Sequence, residues 1–341
     1  MIQLLKNARL AAGVISQHLV DDPVLLYLQA ARRLPAVVRP FGRVVTAIFP
    51  RNSVAAPVIL AALSNGNDAD AKRRLELAAD GPTRGEPARR LADIALSAGL
   101  LEISDDLLAK AGNARGLKSA RARRLWHDGD LSGAVKALDG SGAAGRRQQA
   151  RLAGEAAVYA GAAPVLRRQD FEPVPGRVLH LLTNSLPHTA SGYAQRSHSI
   201  MVAQREAGWG VLAVTRLGYP VQVGKFLARA TDVVDGVRYR RLLPSRLART
   251  MDARLQQQAE ELLRVTLQFR PSVLHTTTHT SSMDWWSGPW PRPWASRGCT
   301  RSAASWQTRG PPRGDLRHGT AKSTRNSRPG KPKSCAMLIW W

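Results

Sequence analysis

The sequence predicts an α/β protein in three parts. Residues 1–168 read as an all-helical, repeat-like region, residues 177–282 as an incomplete parallel-sheet domain, and residues 283–341 as a disordered tail. Three observations lead there. The first part is rich in Ala, Leu and Arg, is punctuated by Gly and Asn, and shows no apolar alternation of period two. After Arg177, short apolar runs alternate with helical stretches. After Met283 neither period persists.

The totals agree with this division. A chain of 341 residues with 44% apolar content has room for two or three cores. The net charge is +25. Such a balance points to phosphate-bearing partners. It also has a plainer source, because only nine of the 50 basic residues are Lys, and an Arg-rich, Lys-poor chain is what GC-rich codons produce. Both cysteines, Cys299 and Cys335, fall in the tail, so neither a disulfide framework nor a metal-ligand cluster is expected. The first twenty residues lack the long apolar run and cleavage site of a secretion signal. No run approaches the ~20 apolar residues of a membrane span. The expected compartment is the cytoplasm, including the inner face of its membrane.

Within the helical part three segments look alike: AALSNGNDADAKRRLELAAD from Ala61, IALSAGLLEISDDLLAKAG from Ile94 and RLWHDGDLSGAVKALDGSG from Arg124. Gly66, Gly99 and Gly129 stand 33 and 30 residues apart, and Gly161 follows 32 later. Small residues, Ala78, Ala111 and Ser141, lie twelve positions after the first three glycines. A period in the low thirties with a small residue where two helices cross resembles tetratricopeptide repeats. That pattern predicts paired antiparallel helices, each burying its apolar face on the next pair. A plain helical bundle is the alternative. An array of this kind docks a protein partner or braces a neighbouring domain. Trp126 and His127 read as helix packing and surface.

FEPVPGR, Phe171 to Arg177, reads as a linker. VLHLLTNSLP (Val178–Pro187) then predicts a short strand running into a polar loop. The stretch from His188 to Trp209 predicts a loop and a helix, and VLAVTR (Val211–Arg216) a second strand. GVRYRRLLP from Gly236 predicts a third strand, Asp252–Arg270 an amphipathic helix stopped by Pro271, and SVLHTTTH (Ser272–His279) a fourth strand. Strands alternating with helices imply a parallel sheet covered on both faces. Ligands of such sheets sit beyond the carboxyl ends of the strands. Ser191 and Gly192 open a helix there, where backbone N–H groups and the helix dipole favour a phosphate; a simple turn explains the same Gly. His198, two turns into that helix, is a cleft candidate or a histidine satisfied in the core. His275 and His279, four apart on a strand, share a face and are candidates for an acceptor or a phosphate. No third ligand accompanies them, so a zinc site is not expected.

The order strand, SGYAQRSHSI, EAGWGVLAVT, DGVRYRRLLP, long helix, PSVLHTTTH resembles the N-terminal domain of glycosyltransferase family 4. Members pair two facing Rossmann-like domains, the arrangement called GT-B. The matching residues are Ser191-Gly192, then Ala207-Gly208-Trp209-Gly210-Val211, then Pro271-Ser272-Val273-Leu274-His275. Trp209 stands where the family has His, and Ser191 where it has a first Gly. The likeness covers residues 177 to about 280, under a third of the chain. It implies a Rossmann-like fold and sugar transfer from a nucleotide donor with retention of configuration. It also implies an acceptor-side domain that holds part of the donor phosphate at Ser191 and Gly192.

The family binds its donor mostly in a second domain, and nothing after Met283 reads as one. That stretch opens MDWWSGPWPRPWASRGC and holds seven of the nine Trp. A basic tail with interleaved Trp stacks on single-stranded nucleic acid, and a Pro-rich one serves as a polyproline ligand. The genetic code gives a third reading. Trp has the single codon TGG. Joining the last base of each codon to the next two makes Trp285-Trp286 force Val, Trp294-Ala295 force Gly and Trp306-Gln307 force Ala. With GC-rich choices at the free bases, Trp285 to Gly310 rereads as roughly a helix, a Gly-Ile-Pro turn and an apolar strand. The expectation is therefore a frame-shifted tail on a truncated, inactive glycosyltransferase. No bound cofactor and no specific nucleic-acid partner are expected. The rival is a non-catalytic scaffold whose helices hold a protein and whose tail grips nucleic acid or membrane.

Overall fold

The computed structural model describes residues 2–33, 40, 44–45, 48–50, 52–167 and 169–276. His279 and the tail from residue 283 lie outside the described residues. The protein is α/β, with a helical N-terminal region followed by a five-stranded, mostly parallel sheet. It divides into two compact units. One is Ala12–Ala162 with Ala248–Ala253; the other is Met1–Ala11, Ala163–Leu247 and Arg254–Trp341. No helix among the described residues is long and apolar enough to cross a membrane.

The helices before the sheet are α1 (Ile2–Asp21), α2 (Pro23–Arg33), α3 (Ala56–Ser64), α4 (Asp68–Asp80), α5 (Gly85–Ser97), α6 (Leu101–Lys110), α7 (Leu117–His127), α8 (Leu131–Lys136) and α9 (Ala143–Tyr159). The glycine period has a direct physical cause. Gly66, Gly99, Gly129 and Gly161 follow the ends of α3, α5, α7 and α9 at φ 78°, 78°, 84° and 94°. Only glycine enters that left-handed region without strain. Each turn closes with the same backbone bond five residues back: Asn67 N to Ala62 O, Leu100 N to Ala95 O, Asp130 N to Leu125 O and Ala162 N to Ala157 O, at 2.9–3.0 Å. This is the helix stop with a left-handed residue and a six-to-one bond. After the first three, the next helix starts at once. Asn67 caps α4 by accepting from Asp70 N, and Asp130 caps α8 by accepting from Gly133 N.

The small residues mark packing points. Ala78 and Ala111 are fully buried among Ile59, Leu75, Leu91, Ile94 and Leu107. At Ser141 a Cβ on Gly145 would come within 2.3 Å of the serine Cβ, so two small residues are needed there. Buried charge is paired. Asp93 of α5 accepts from Arg89 at 2.7 Å and from Arg123 of α7 at 2.6 Å, which ties one helix pair to the next.

The sheet contains β1 (Val174–Leu182), β2 (Gly210–Thr215), β3 (Thr231–Val234), β4 (Val237–Arg240) and β5 (Pro271–Thr276), in the order β3-β4-β2-β1-β5. All pairs are parallel except β3 with β4. α10 (Gly192–Glu206) links β1 to β2, and α11 (Met251–Phe269) precedes β5. One face packs Leu179, Leu181, Leu212 and Val214 on Leu262 and Val265 of α11. The other packs Leu182 and Ala213 on Met201 of α10.

Two differences from the sequence reading have clear causes. The expected linker is partly strand, since β1 starts at Val174, whose N–H bonds to Arg270 O. Gly176, at φ 75°, sits where the register with β5 shifts, so the strand carries a bulge next to Pro175. The sheet also has a fifth strand. Asp235 and Gly236 both have positive φ, at 46° and 74°. They make the tight turn that folds β3 back on β4.

Candidate functional site

β1 is an interior strand, with β2 on one side and β5 on the other, so the order of strands reverses at it. In open α/β sheets the crevice beyond the carboxyl ends at such a reversal is the ligand position. The segments that meet along this edge are the β1–α10 loop, Arg216 after β2 and Arg241 after β4.

A hydrogen-bonded cluster shapes the edge. Arg241 is buried, and its guanidinium donates to Asp232 Oδ2 at 2.8 Å, Ser185 Oγ at 2.5 Å and Leu186 O at 2.7 Å. Its three arms pin the β1–α10 loop to the end of β4. The fully buried Tyr219 does the same from beneath. Its hydroxyl donates to Ser185 O at 2.8 Å, accepts from Ser185 N at 3.2 Å, and contacts Thr189 Oγ1 at 2.8 Å. His188 Nε2 lies 3.1 Å from Asp232 Oδ2. Burial pulls the His188 pKa down against Asp232, which raises it, and Arg241 and Lys225 lower it further.

Arg216 differs from Arg241. It lies 5.9 Å over the Tyr219 ring and meets no carboxylate among the described residues, and its Nε has no partner. Burial lowers its pKa. The guanidinium nevertheless keeps its proton at neutral pH. Thr215 Oγ1, at the end of β2, is fully buried and unpartnered, and Asn184 Oδ1 in the β1–α10 loop is likewise unpaired. Two guanidinium groups against one carboxylate leave the edge positive.

Ser191 and Gly192 stand at this edge as the sequence predicts. Ser191 is the N-cap of α10 and accepts from Ala194 N at 3.2 Å. A Cβ on Gly192 would meet no atom within 4 Å, and its φ is not in the left-handed range. Neither packing nor backbone therefore demands glycine at that position.

His198 is placed away from the edge. Its Nδ1 accepts from the Tyr239 hydroxyl at 2.6 Å and its Nε2 donates to Asp235 Oδ2 at 2.9 Å. Asp235 lies in the β3–β4 turn, at the amino end of β4. Burial first, and Asp235 after it, push the Tyr239 hydroxyl up to about 12, which keeps it a donor. Both His198 nitrogens are thus engaged in holding α10 to the hairpin.

His275 meets a residue that the sequence reading passed over. It is in register with His180 on β1, Nδ1 to Nδ1 at 2.9 Å. His180 Nε2 lies 2.7 Å from Gln204 Oε1. A carbonyl oxygen only accepts, so His180 donates from Nε2 and accepts at Nδ1 the hydrogen bond of the His275 Nδ1–H. The His275 Nε2 is left as a lone-pair acceptor. Burial, and then the neighbouring His275, push His180 down to about 4. Burial also lowers His275. The available signal was a lone His inside the apolar run VLHLL, matched by the His of SVLHT.

No group of three or more His, Cys, Asp or Glu among the described residues is placed to hold a metal ion. Compared with family models, curated proteins and solved structures, the chain finds no match in any of the three.

Proposed function

We propose that the sheet unit is the acceptor-side half of a retaining, nucleotide-sugar-dependent glycosyltransferase, with the carboxyl edge receiving the donor diphosphate. The observation that carries this reading is Arg216. A half-buried guanidinium without a carboxylate, at the same sheet edge as the start of α10, fits an anion with several oxygens. The space over Gly192 lets a phosphate approach the helix N-terminus. His275 Nε2 supplies an acceptor for a sugar hydroxyl. The reaction needs the donor held between two walls and the departing diphosphate stabilised. Arg216 and the α10 amides serve the second need.

The test is calorimetric titration of the purified chain with UDP, GDP and ADP. One of them binds, and Arg216→Met weakens it about tenfold or more, the scale of a lost charge-assisted bond. Gly192→Ala also weakens it while leaving the melting temperature in place. Absence of binding, or binding indifferent to both changes, overturns the reading. On the same reading residues 283–341 are an out-of-frame translation, and this polypeptide turns over no nucleotide sugar. Measured turnover, or genomic sequence that keeps the frame through codons 280–341, sinks that part.

A second reading has one observation in its favour, the regular helix pairs. Stacked pairs present a continuous surface to a protein partner, and the chain then acts as a scaffold with a nucleic-acid- or membrane-gripping tail. Salt-dependent nucleic-acid binding that disappears on deleting residues 284–341 favours it.

A further inference from the structure

Three side chains form a continuous hydrogen-bonded line from α10 through β1 to β5. Gln204 Oε1, in the last turn of α10, lies 2.7 Å from His180 Nε2, and His180 Nδ1 lies 2.9 Å from His275 Nδ1. The strands pair His180 with His275 in register, and the rings meet edge-on, with centroids 4.6 Å apart at 77°. His180 is fully buried, so water cannot stand in for either partner. Among the described residues no other hydrogen-bond partner reaches either ring.

Burial favours the neutral form of both imidazoles. A neutral imidazole has one N–H and one lone pair, and the bond made at one nitrogen decides what the other offers. The three groups therefore share one direction. With the Gln204 carbonyl towards His180, each N–H points back to α10, and His275 Nε2 keeps its lone pair. A half-turn of the Gln204 amide would reverse both bonds and put a proton on that nitrogen. Gln204 is the only asymmetric member of the line, so it alone chooses the direction.

We propose that Gln204 is a positioning residue that sets, at two removes, what His275 can bind. Its carbonyl holds His275 Nε2 as an acceptor, so the group that meets His275 is a hydrogen-bond donor, a sugar hydroxyl, and not a deprotonated phosphate oxygen. Two lone pairs facing each other repel, and no proton is available between them. His275 then takes no part in holding the diphosphate, which falls to Arg216 and the α10 amides. The sugar half of this inference rests on the glycosyl-transfer reading; the role of Gln204 stands apart from it.

The test is 15N NMR of the full 341-residue chain labelled at histidine, at neutral pH, reading which nitrogen of each ring carries the proton. His180→Phe and His275→Gln assign the two sets of signals. In the wild type His180 carries its proton on Nε2 and His275 on Nδ1. Gln204→Met, an unbranched change at a half-buried position, removes the acceptor. An orphaned buried N–H is worse than an orphaned lone pair, so the His275 proton moves to Nε2. A Gln204 that only packs would leave the tautomers as they were. A proton on His275 Nε2 in the wild type, or an unchanged pattern in Gln204→Met, overturns the proposal. Bound UDP-glucose or GDP-mannose should shift the His275 Nε2 signal, whereas bound UDP or GDP should not. A shift by the free diphosphates, or a bound sugar nucleotide that leaves the signal in place, overturns the sugar half. If no nucleotide binds, the glycosyl-transfer reading fails and the sugar half with it, while the tautomers still decide the role of Gln204.

Discussion

The helical and sheet units treat arginine in opposite ways. In the helices, Arg74, Arg89, Arg123, Arg124 and Arg151 each meet a carboxylate within 3.5 Å. At the carboxyl edge of the sheet Arg241 meets Asp232, but Arg216 meets none among the described residues. A guanidinium that serves architecture is paired, because an uncompensated charge out of water is costly. One that meets no carboxylate at the carboxyl edge of a parallel sheet is free to meet a ligand anion instead. The contrast also separates two kinds of glycine. Gly66, Gly99, Gly129 and Gly161 are demanded by backbone conformation, whereas neither conformation nor contact demands Gly192.

The largest expected effect tests the paired side of the contrast. Asp93→Ala strips the shared partner from Arg89 and Arg123 and should cost about 3 kcal/mol or more, read as a lower urea midpoint. A loss under about 1 kcal/mol would show the network to be incidental.

Next comes pH. His180 has a folded pKa near 4 against an ordinary 6.5, so folding favours its neutral form. Its stabilising share is complete above pH ~6.5 and is lost as pH falls towards ~4, up to about 3 kcal/mol. Urea melts at stepped pH should show that slope, and replacing His180 by Gln should flatten it. An unchanged slope in the variant breaks the assignment.

Gly99→Ala should cost about 1–2 kcal/mol, since φ is +78°. Gly192→Ala should stay within about 0.5 kcal/mol. Equal losses at the two sites would erase the distinction between the glycines. The smallest effect is the sharpest. Arg216→Met should move the melting temperature little or upward, unlike Asp93→Ala, because it removes a charge that nothing compensates. A loss as large as that of Asp93→Ala would make Arg216 structural.

Much of the fold was legible because it rests on local chemistry. The glycine spacing exposed the helix pairs, since each glycine answers a backbone requirement within six residues of itself. The runs VLHLL, VLAVT and SVLHT exposed three parallel strands through apolar continuity. The β3–β4 hairpin was missed although Asp235-Gly236 is a strong turn signal, because TDVV is too short and polar to stand out as an edge strand. The site was less legible, for a reason of distance. His180 meets His275 across 95 residues, and Arg241 reaches Ser185 across 56. No window of sequence contains those pairs. His198 shows the converse. Its position in the helix was clear from sequence, but its orientation towards Tyr239 and Asp235 depended on an unforeseen hairpin.

The interior place of β1, between β2 and β5, has a consequence during synthesis. The ribosome releases residues 12–162 before β1 is complete, so the helix pairs, with their local contacts, are free to fold first. β1 then emerges with both hydrogen-bonding edges bare. β2 covers one edge about thirty residues later, and β5 covers the other only when His275 arrives 95 residues after His180. Throughout that interval the most apolar strand of the nascent chain presents an open edge. A chaperone that binds extended apolar segments should therefore crosslink to VLHLL in stalled chains ending near residue 260, and release it once residue 276 is clear of the exit tunnel.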